Sequence, residues 1–333
     1  MLKLAINGFG RIGRSVFKAA LERSHEVDVV AVNDLTDAKT LANLLQYDSV
    51  YGKYKKKVSA ENDLIVVDGK KIKIFKEKDP ANLPWKDLAV DVVVESTGFF
   101  VSGDDAKKHV DAGAKKVVIS APSEKKVVPT YLMGVNHEEY KGEAVIDMAS
   151  CTTNCISPIA EIMHRRFGVE KAMMSTAHSY TSTQNLVDGP NDDLRRARAA
   201  AVNLVPTTTG AAIATTKAVP ALKGLFDGIA FRTPTICGCM ADFVFVLKKD
   251  VTIEEVNNVF KEEKESERYK GVLDATEEPL VSTDIIGRRQ SSIVDLGLTN
   301  VVAGNLVKIV GWYDNEWAYS LRVIDLAVYI NAK

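Results

Sequence analysis

The residues best suited to covalent chemistry lie in Ser150-Cys151-Thr152-Thr153-Asn154-Cys155. A thiol stands there among hydroxyls and an amide. Residues 143–149 before it read as a strand, and Ile156, Ile159, Ala160, Met163 and Phe167 behind it recur at helical spacing. Cys151 therefore falls where a helix begins. Unpaired N–H groups and the positive end of the helix dipole gather there. Both favour the thiolate, which is the nucleophilic form. A half-buried cysteine with no role is the ordinary alternative. His178 is the second candidate. It closes an alternating run, residues 171–180, in which Met174, Thr176 and His178 share one face. Imidazole beside a cysteine can form a thiolate–imidazolium pair and move protons near neutral pH. A lone strand-end histidine is otherwise structural, and the spacing leaves open whether the two side chains meet.

The elements around this pair carry further polar groups. Thr181 follows the histidine strand, and Arg195, Arg196 and Arg198 cluster after a polar stretch. Pro206-Thr207-Thr208-Thr209-Gly210 then opens a small-residue helix, 211–219. Hydroxyls and a glycine at a helix start suit an anion. Strand-like runs return at 228–234, 241–247, 292–298 and 306–312, with one helix, 253–265, among them. Strands without regular intervening helices suggest a largely antiparallel sheet. A last helix, from about Trp317 to Ile330, follows Asp314-Asn315-Glu316 as its cap.

The first half has a different pattern. Residues 2–7 read as a buried strand running into Gly8-Phe9-Gly10-Arg11-Ile12-Gly13. A helix with Ile12, Val16, Ala19 and Ala20 on one face follows, then a strand, 27–33, ending at Asp34. Gly8 permits the tight turn, Gly10 lets backbone approach a pyrophosphate, and Gly13 lets helix pack on strand. The acid at the second strand end suits ribose hydroxyls and repels a 2′-phosphate. Alone the glycine pattern is weak, but here it has the strand, helix, strand and acid its chemistry requires. Further α/β units follow, and they place Gly98 and Ser120 at carboxyl ends of parallel strands. The class expected is α/β: a Rossmann-type parallel-sheet domain plus a second α+β domain with a largely antiparallel sheet.

Bulk properties agree. A chain of 333 residues suggests about two domains. A net charge of −1, with 46% hydrophobic and 26% charged residues, gives no general drive toward nucleic acid or membrane. The start reads as a strand rather than a secretory leader, and no apolar run approaches the ~18 residues of a membrane span. The lysine-rich stretch 53–57 reads as a solvated face. Cys151, Cys155, Cys237 and Cys239 are too few for a disulfide scaffold, and a reduced, cytoplasmic setting is expected. Their spacings do not suit zinc knuckles, so no metal is expected.

Taken together, these segments resemble phosphorylating glyceraldehyde-3-phosphate dehydrogenases over essentially the full length. The resemblance rests on residues 5–14, 149–155, His178-Ser179-Tyr180-Thr181, residues 193–199, residues 206–212 and Trp312-Tyr313-Asp314-Asn315-Glu316. It implies a step of glycolysis and gluconeogenesis in which NAD is reduced. Cys151 would attack the aldehyde of glyceraldehyde 3-phosphate. His178 would take the proton, and inorganic phosphate would release 1,3-bisphosphoglycerate from a thioester. It implies Thr181, Arg196 and Arg232 at the substrate phosphate, with the choice among Arg195, Arg196 and Arg198 open. Ser150, Thr152, Thr209 and Gly210 would hold the attacking phosphate. Arg11, Ile12, Asp34, Lys78, Ser120 and Asn315 would touch NAD beside Gly8, Gly10 and Gly13. It also implies a homotetramer, with residues 1–149 joined by the C-terminal helix, 315–333, as the NAD-binding domain and 150–314 as the catalytic domain. A relative acting on erythrose 4-phosphate shares these features. A non-catalytic NAD- or RNA-binding scaffold is the alternative of another class. Ala318, Leu321 and the Cys237-Gly238-Cys239 run depart from the family's usual pattern.

Overall fold

The computed structural model describes residues 1–125 and 127–333. The chain divides into two compact units. The first comprises Met1–Tyr131, His137–Ala149 and Ser320–Lys333; the second comprises Leu132–Asn136 and Ser150–Tyr319.

The first unit begins with β1 (Leu2–Asn7), α1 (Arg11–Glu22), β2 (Val27–Asn33) and α2 (Ala38–Gln46). A small hairpin, β3 (Tyr47–Asp48) and β4 (Gly52–Lys53), precedes β5 (Val58–Glu61), β6 (Leu64–Val67) and β7 (Lys70–Phe75). Then come β8 (Val92–Glu95), α3 (Gly103–Asp111), β9 (Lys116–Ile119) and β10 (Val145–Asp147). The main sheet runs β10-β9-β8-β1-β2-β7-β6-β5. It is parallel from β10 to β7 and antiparallel from there to β5. Strands covered on both faces read as unbroken apolar runs, as Val92, Val93 and Val94 do, all 0% exposed. Asp68 and Gly69, both at positive φ, turn the β6–β7 hairpin. One core cluster gathers Ala5, Ala31, Val93, Val117 and Ile119 around Trp85.

The second unit opens with α4 (Cys151–Phe167) and β11 (Val169–Ser179). It continues through β12 (Val205–Thr208), α5 (Ala211–Ala218), β13 (Phe226–Thr233), β14 (Cys239–Leu247) and α6 (Ile253–Glu263). β15 (Leu273–Thr276), β16 (Ser292–Asp295), β17 (Asn300–Val302) and β18 (Leu306–Tyr313) complete its sheet. The strand order is β12-β13-β11-β14-β18-β16-β15, with β17 on β18. Only β11–β13 and β15–β16 are parallel; the other pairings are antiparallel. α4 lies close on β18: a Cβ at Gly311 would come 2.6 Å from Ile159 Cδ1. α4 and α5 are joined by a buried Ser157–Thr215 hydroxyl bond of 2.9 Å. The last helix, α7 (Trp317–Asn331), belongs to the first unit from Ser320 on. Among the described residues, no helix is long and apolar enough to cross a membrane.

Candidate active site

In the first unit, the carboxyl ends of β1, β2 and β8 open onto a cleft of about 340 Å³. Its walls include Gly8, Gly10, Asp34, Leu35, Lys78, Ser96, Thr97, Phe99 and Phe100. Gly8 has φ +90° and lies against the Ser96 backbone, where a Cβ would approach to 2.7 Å. A Cβ on Gly13 would meet Gly8 O at 2.0 Å, so α1 can dock on the turn only through glycine. Gly10 differs: a Cβ there meets nothing within 4 Å. Gly10 also N-caps α1 with no side-chain bond to the helix N–H groups. Asp34 is held by two backbone donors, Phe9 N at 2.8 Å and Thr36 N at 2.9 Å. These residues fit a dinucleotide: a helix start for the phosphates and an oriented carboxylate for the ribose.

The remaining cofactor candidates are distributed more loosely. Arg11 forms an ion pair with Asp48 at 2.9 Å and lies over the Tyr51 ring, so its guanidinium is engaged within the unit. Ile12 is half-buried in the first turn of α1, and Lys78 is exposed on the cleft wall. Ser120 follows β9 and donates its hydroxyl to Glu95 O at 3.0 Å. Asn315 is in the second unit, where its Oδ1 accepts from Gly238 N and from the Cys239 thiol, each at 3.3 Å. Thr97, Phe99 and Phe100 are cleft residues that sequence reasoning missed. The available signal was an aromatic pair, Phe99 being 84% exposed, directly after a strand-end glycine.

In the second unit, Ser150 N-caps α4 by accepting from Thr153 N at 3.1 Å, which puts Cys151 in the first turn. The parallel register of β11 and β13 sets His178 beside Arg232. Helix start and strand end converge: Cys151 Sγ lies 3.5 Å from His178 Nε2. His178 Nδ1 is 2.7 Å from Ser179 O and 2.7 Å from an Arg232 guanidinium nitrogen, which itself donates to Ser179 O. Those two contacts exclude each other. With its proton on Nδ1 the ring donates to Ser179 O and turns a lone pair to the sulfur. With the proton on Nε2 it accepts from Arg232 and turns an N–H to the sulfur.

Burial pushes the Cys151 thiol up to about 11, against the opposing field of Arg232. Burial, with Arg232 second, pushes the His178 imidazole down to about 3. Burial thus opposes charge on both members of the pair. Against it stand the helix start and the field of Arg232, which favour the thiolate, and the residue keeps some accessible surface. Cys155, one turn deeper and fully buried, is pushed up further.

Two groups of polar side chains surround the pair. Thr152 is buried, and its hydroxyl meets Tyr313 OH at 2.9 Å; Tyr313 OH also meets Thr176 at 2.9 Å. Tyr313 packs edge-on to His178, a neighbour the sequence offers no local signal for. Thr209 precedes α5 and accepts from Ala211 N, and Gly210 N-caps that helix. Thr181 pairs with Thr183 at 2.9 Å. Arg196 donates to Thr207 at 2.8 and 3.0 Å and pairs with Asp193 at 3.4 Å. Arg198 is drawn instead to Asp188, and Arg195 is exposed. Burial, and the positive field of Arg196, hold the Arg232 guanidinium below its ordinary value. Arg232 Nε is buried without a hydrogen-bond partner. All four cysteines are free, and no group of metal-ligating side chains occurs among the described residues.

A glycine-turn cleft and a contacting thiol–imidazole pair in one chain are the equipment of a dinucleotide-dependent oxidoreductase. The family follows from comparison with known proteins. Residues 2–103 match the glyceraldehyde 3-phosphate dehydrogenase NAD binding domain, and residues 150–315 match the C-terminal domain of the same family. Glyceraldehyde-3-phosphate dehydrogenase 1 of Bacillus cereus is 54% identical over 335 residues, covering 100% of this chain and 99% of that protein. The Geobacillus stearothermophilus enzyme is 53% identical with the same coverage, and that of Streptomyces coelicolor is 50% identical over 99% of this chain and 98% of its own. The chain belongs to the glyceraldehyde 3-phosphate dehydrogenase family.

Proposed function

We propose that the protein oxidises glyceraldehyde 3-phosphate with NAD⁺ and inorganic phosphate, giving 1,3-bisphosphoglycerate through a thioester on Cys151. The observation that carries this reading is the Cys151–His178 contact of 3.5 Å, with Arg232 against the far side of the ring. His178 takes the thiol proton as sulfur adds to the aldehyde, because its Nε2 lies 3.5 Å from the sulfur. The resulting alkoxide rests on the Cys151 backbone N–H and on the His178 Nε2–H just formed. NAD⁺, when bound, supplies the hydride acceptor. His178 returns its proton to the alkoxide, giving the hemithioacetal hydroxyl, and takes it back as the hydride leaves, so that the thioester remains on Cys151.

Residues 1–149 with the last helix hold NAD in this reading, and residues 150–314 carry the chemistry. Gly10, which no described residue requires to be glycine, keeps the turn low enough for the pyrophosphate. Arg11, Ile12, Asp34, Lys78, Ser120 and Asn315 complete the cofactor's surroundings. The unpartnered Nε–H of Arg232 supports a phosphate ligand for Arg232, Thr181 and Arg196. Ser150, Thr152, Thr209 and Gly210, at the starts of α4 and α5, hold the attacking phosphate. Holding it there makes attack effectively intramolecular, a gain of up to ~7–11 kcal/mol. A homotetramer accounts for the exposure of Leu186, Val187, Leu194, Val202 and Leu204, an apolar series that a monomer would leave in water. The cytoplasm, where thiols stay reduced, suits a free reactive cysteine.

NADH formation followed by absorbance tests this directly. Steady turnover should require inorganic phosphate, and its product should be an acyl phosphate that hydroxylamine traps. Without phosphate, a burst of about one NADH per site should appear, as expected when a covalent intermediate accumulates. Sustained phosphate-free turnover would reject phosphorolysis, and faster turnover of erythrose 4-phosphate would reassign the substrate.

A further inference from the structure

Three strands that end at the dinucleotide cleft finish on buried polar residues: β1 on Asn7, β2 on Asn33 and β8 on Glu95. Behind them, on α3, lies His109, 0% exposed, and beside it Trp85, also 0% exposed. Burying so many polar groups is unfavourable unless each finds a partner. Here the partners are one another. Trp85 Nε1–H donates to His109 Nδ1 at 2.9 Å, and His109 Nε2 lies 3.0 Å from Glu95 Oε2. Asn7 Nδ2 donates to the same oxygen at 2.6 Å, and Asn33 Nδ2 donates to Asn7 Oδ1 at 2.7 Å. Glu95 Oε1 accepts from the Thr97 backbone N–H and from the Thr97 hydroxyl, at 2.7 and 2.5 Å. Asn33 grips the Glu77 backbone through both ends of its amide, 2.9 Å each.

The donor inventory fixes the histidine's form. An indole N–H can only donate, so His109 Nδ1 must accept and the ring proton must sit on Nε2. An imidazolium would set a second N–H against the indole N–H. Nε2–H then points at Glu95, where it converges with the Asn7 amide; those two nitrogens, 3.4 Å apart, are both donors aimed at one oxygen.

We propose that Trp85, His109, Glu95, Asn7 and Asn33 form a positioning relay for the NAD-binding turns, with His109 acting as a neutral Nε2–H imidazole. The next residues along each strand are the cleft walls: Gly8 after Asn7, Asp34 after Asn33, Ser96 and Thr97 after Glu95. The relay links those three strand ends from behind, side chain to side chain. Ser96 ties two of them again from above, donating to Gly8 O at 2.8 Å. Apolar packing would fill the same volume but would not set the relative height of the three turns, because it is not directional. The inference rests on the reading that this cleft takes NAD.

The test uses the full-length enzyme with His109→Gln and His109→Leu. A glutamine amide carries one acceptor and donors on neighbouring atoms, as the neutral ring does; leucine carries neither. NAD⁺ affinity by titration should stay within about threefold for His109→Gln and weaken about tenfold or more for His109→Leu, the scale of one unsatisfied buried polar group. The KM for glyceraldehyde 3-phosphate should not move in either. Should His109→Leu not fold, Trp85→Phe serves: it deletes the donor along with part of the ring, and ¹⁵N spectra of His109 should show the Nε2–H tautomer in the parent giving way to a mixture. Unchanged NAD⁺ affinity in folded His109→Leu, equal weakening by Gln and Leu, or an Nδ1–H tautomer in the parent would each overturn the proposal. A parent enzyme that binds no NAD⁺ would instead overturn the reading of the cleft.

Discussion

Three glycines in one turn do three separable things, and substitution separates them. Gly10→Ala should fold with stability within about 1 kcal/mol of the parent, since Gly10 has φ −69° and open space around it. The same variant should bind NAD⁺ more weakly, because the added methyl faces the cleft. Gly13→Ala should lose about 3 kcal/mol, the upper range for overpacking, because its Cβ meets backbone at 2.0 Å. Denaturant unfolding run beside NAD⁺ titration checks both; a Gly10→Ala enzyme with unaltered affinity would remove that turn from the site. At the reacting pair, His178→Asn should slow single-turnover hydride transfer by roughly 10²–10⁴. Substoichiometric alkylation should label Cys151, the least buried of the four cysteines, and label found mainly at Cys155, Cys237 or Cys239 with parallel loss of activity would overturn the assignment.

At the level of elements, the site is made by pairings that join distant stretches of chain. Tyr313, at the end of β18, braces Thr152 on α4 and Thr176 on β11 through one hydroxyl. Tyr313→Phe leaves Thr152 without that partner while Thr176 keeps Met240 O at 3.1 Å. A cost of about 1–3 kcal/mol is expected, with a raised KM for phosphate if Thr152 serves the attacking anion. Features with a local code were readable beforehand. Gly8 through Gly13, the apolar β8 and the cap of α4 each declare themselves within a few residues. The His178–Arg232 contact was not readable, because it depends on the register of two parallel strands separated by β12 and α5. The buried polar strand ends were equally opaque. Glu95 follows three valines like any strand terminus, and only the fold reveals that His109 waits behind it. The helix start at Cys151 was legible, but its contact with His178 comes from a strand elsewhere in the chain.

For the whole molecule, buried titratable groups confine stability to a band of pH. His178 is pushed down to about 3, so the unfolded chain takes its proton first. Its contribution is fully present above about pH 6.5 and is lost as pH falls toward 3. Burial pushes Cys239 up to about 12 and raises Cys155 as well, so there the unfolded chain loses protons first. Their contribution is fully present below about pH 8.5 and is lost as pH rises. Cys155→Ala should flatten the alkaline limb of a stability-against-pH curve by about 1.4 kcal/mol per pH unit, one proton's worth; an unchanged slope would contradict the burial assigned to that thiol. The return of α7 to the first unit bears on the order of events in time. Ser320–Lys333 completes that unit, with Asp325 paired to Arg23 and Lys116 bonded to Ile330 O. On a ribosome adding about 5–20 residues per second, the opening stretch waits through the synthesis of the entire second unit before its last helix exists. The unit begun first is therefore the one finished last, and Arg23 and Lys116 wait for their partners until the chain is nearly complete.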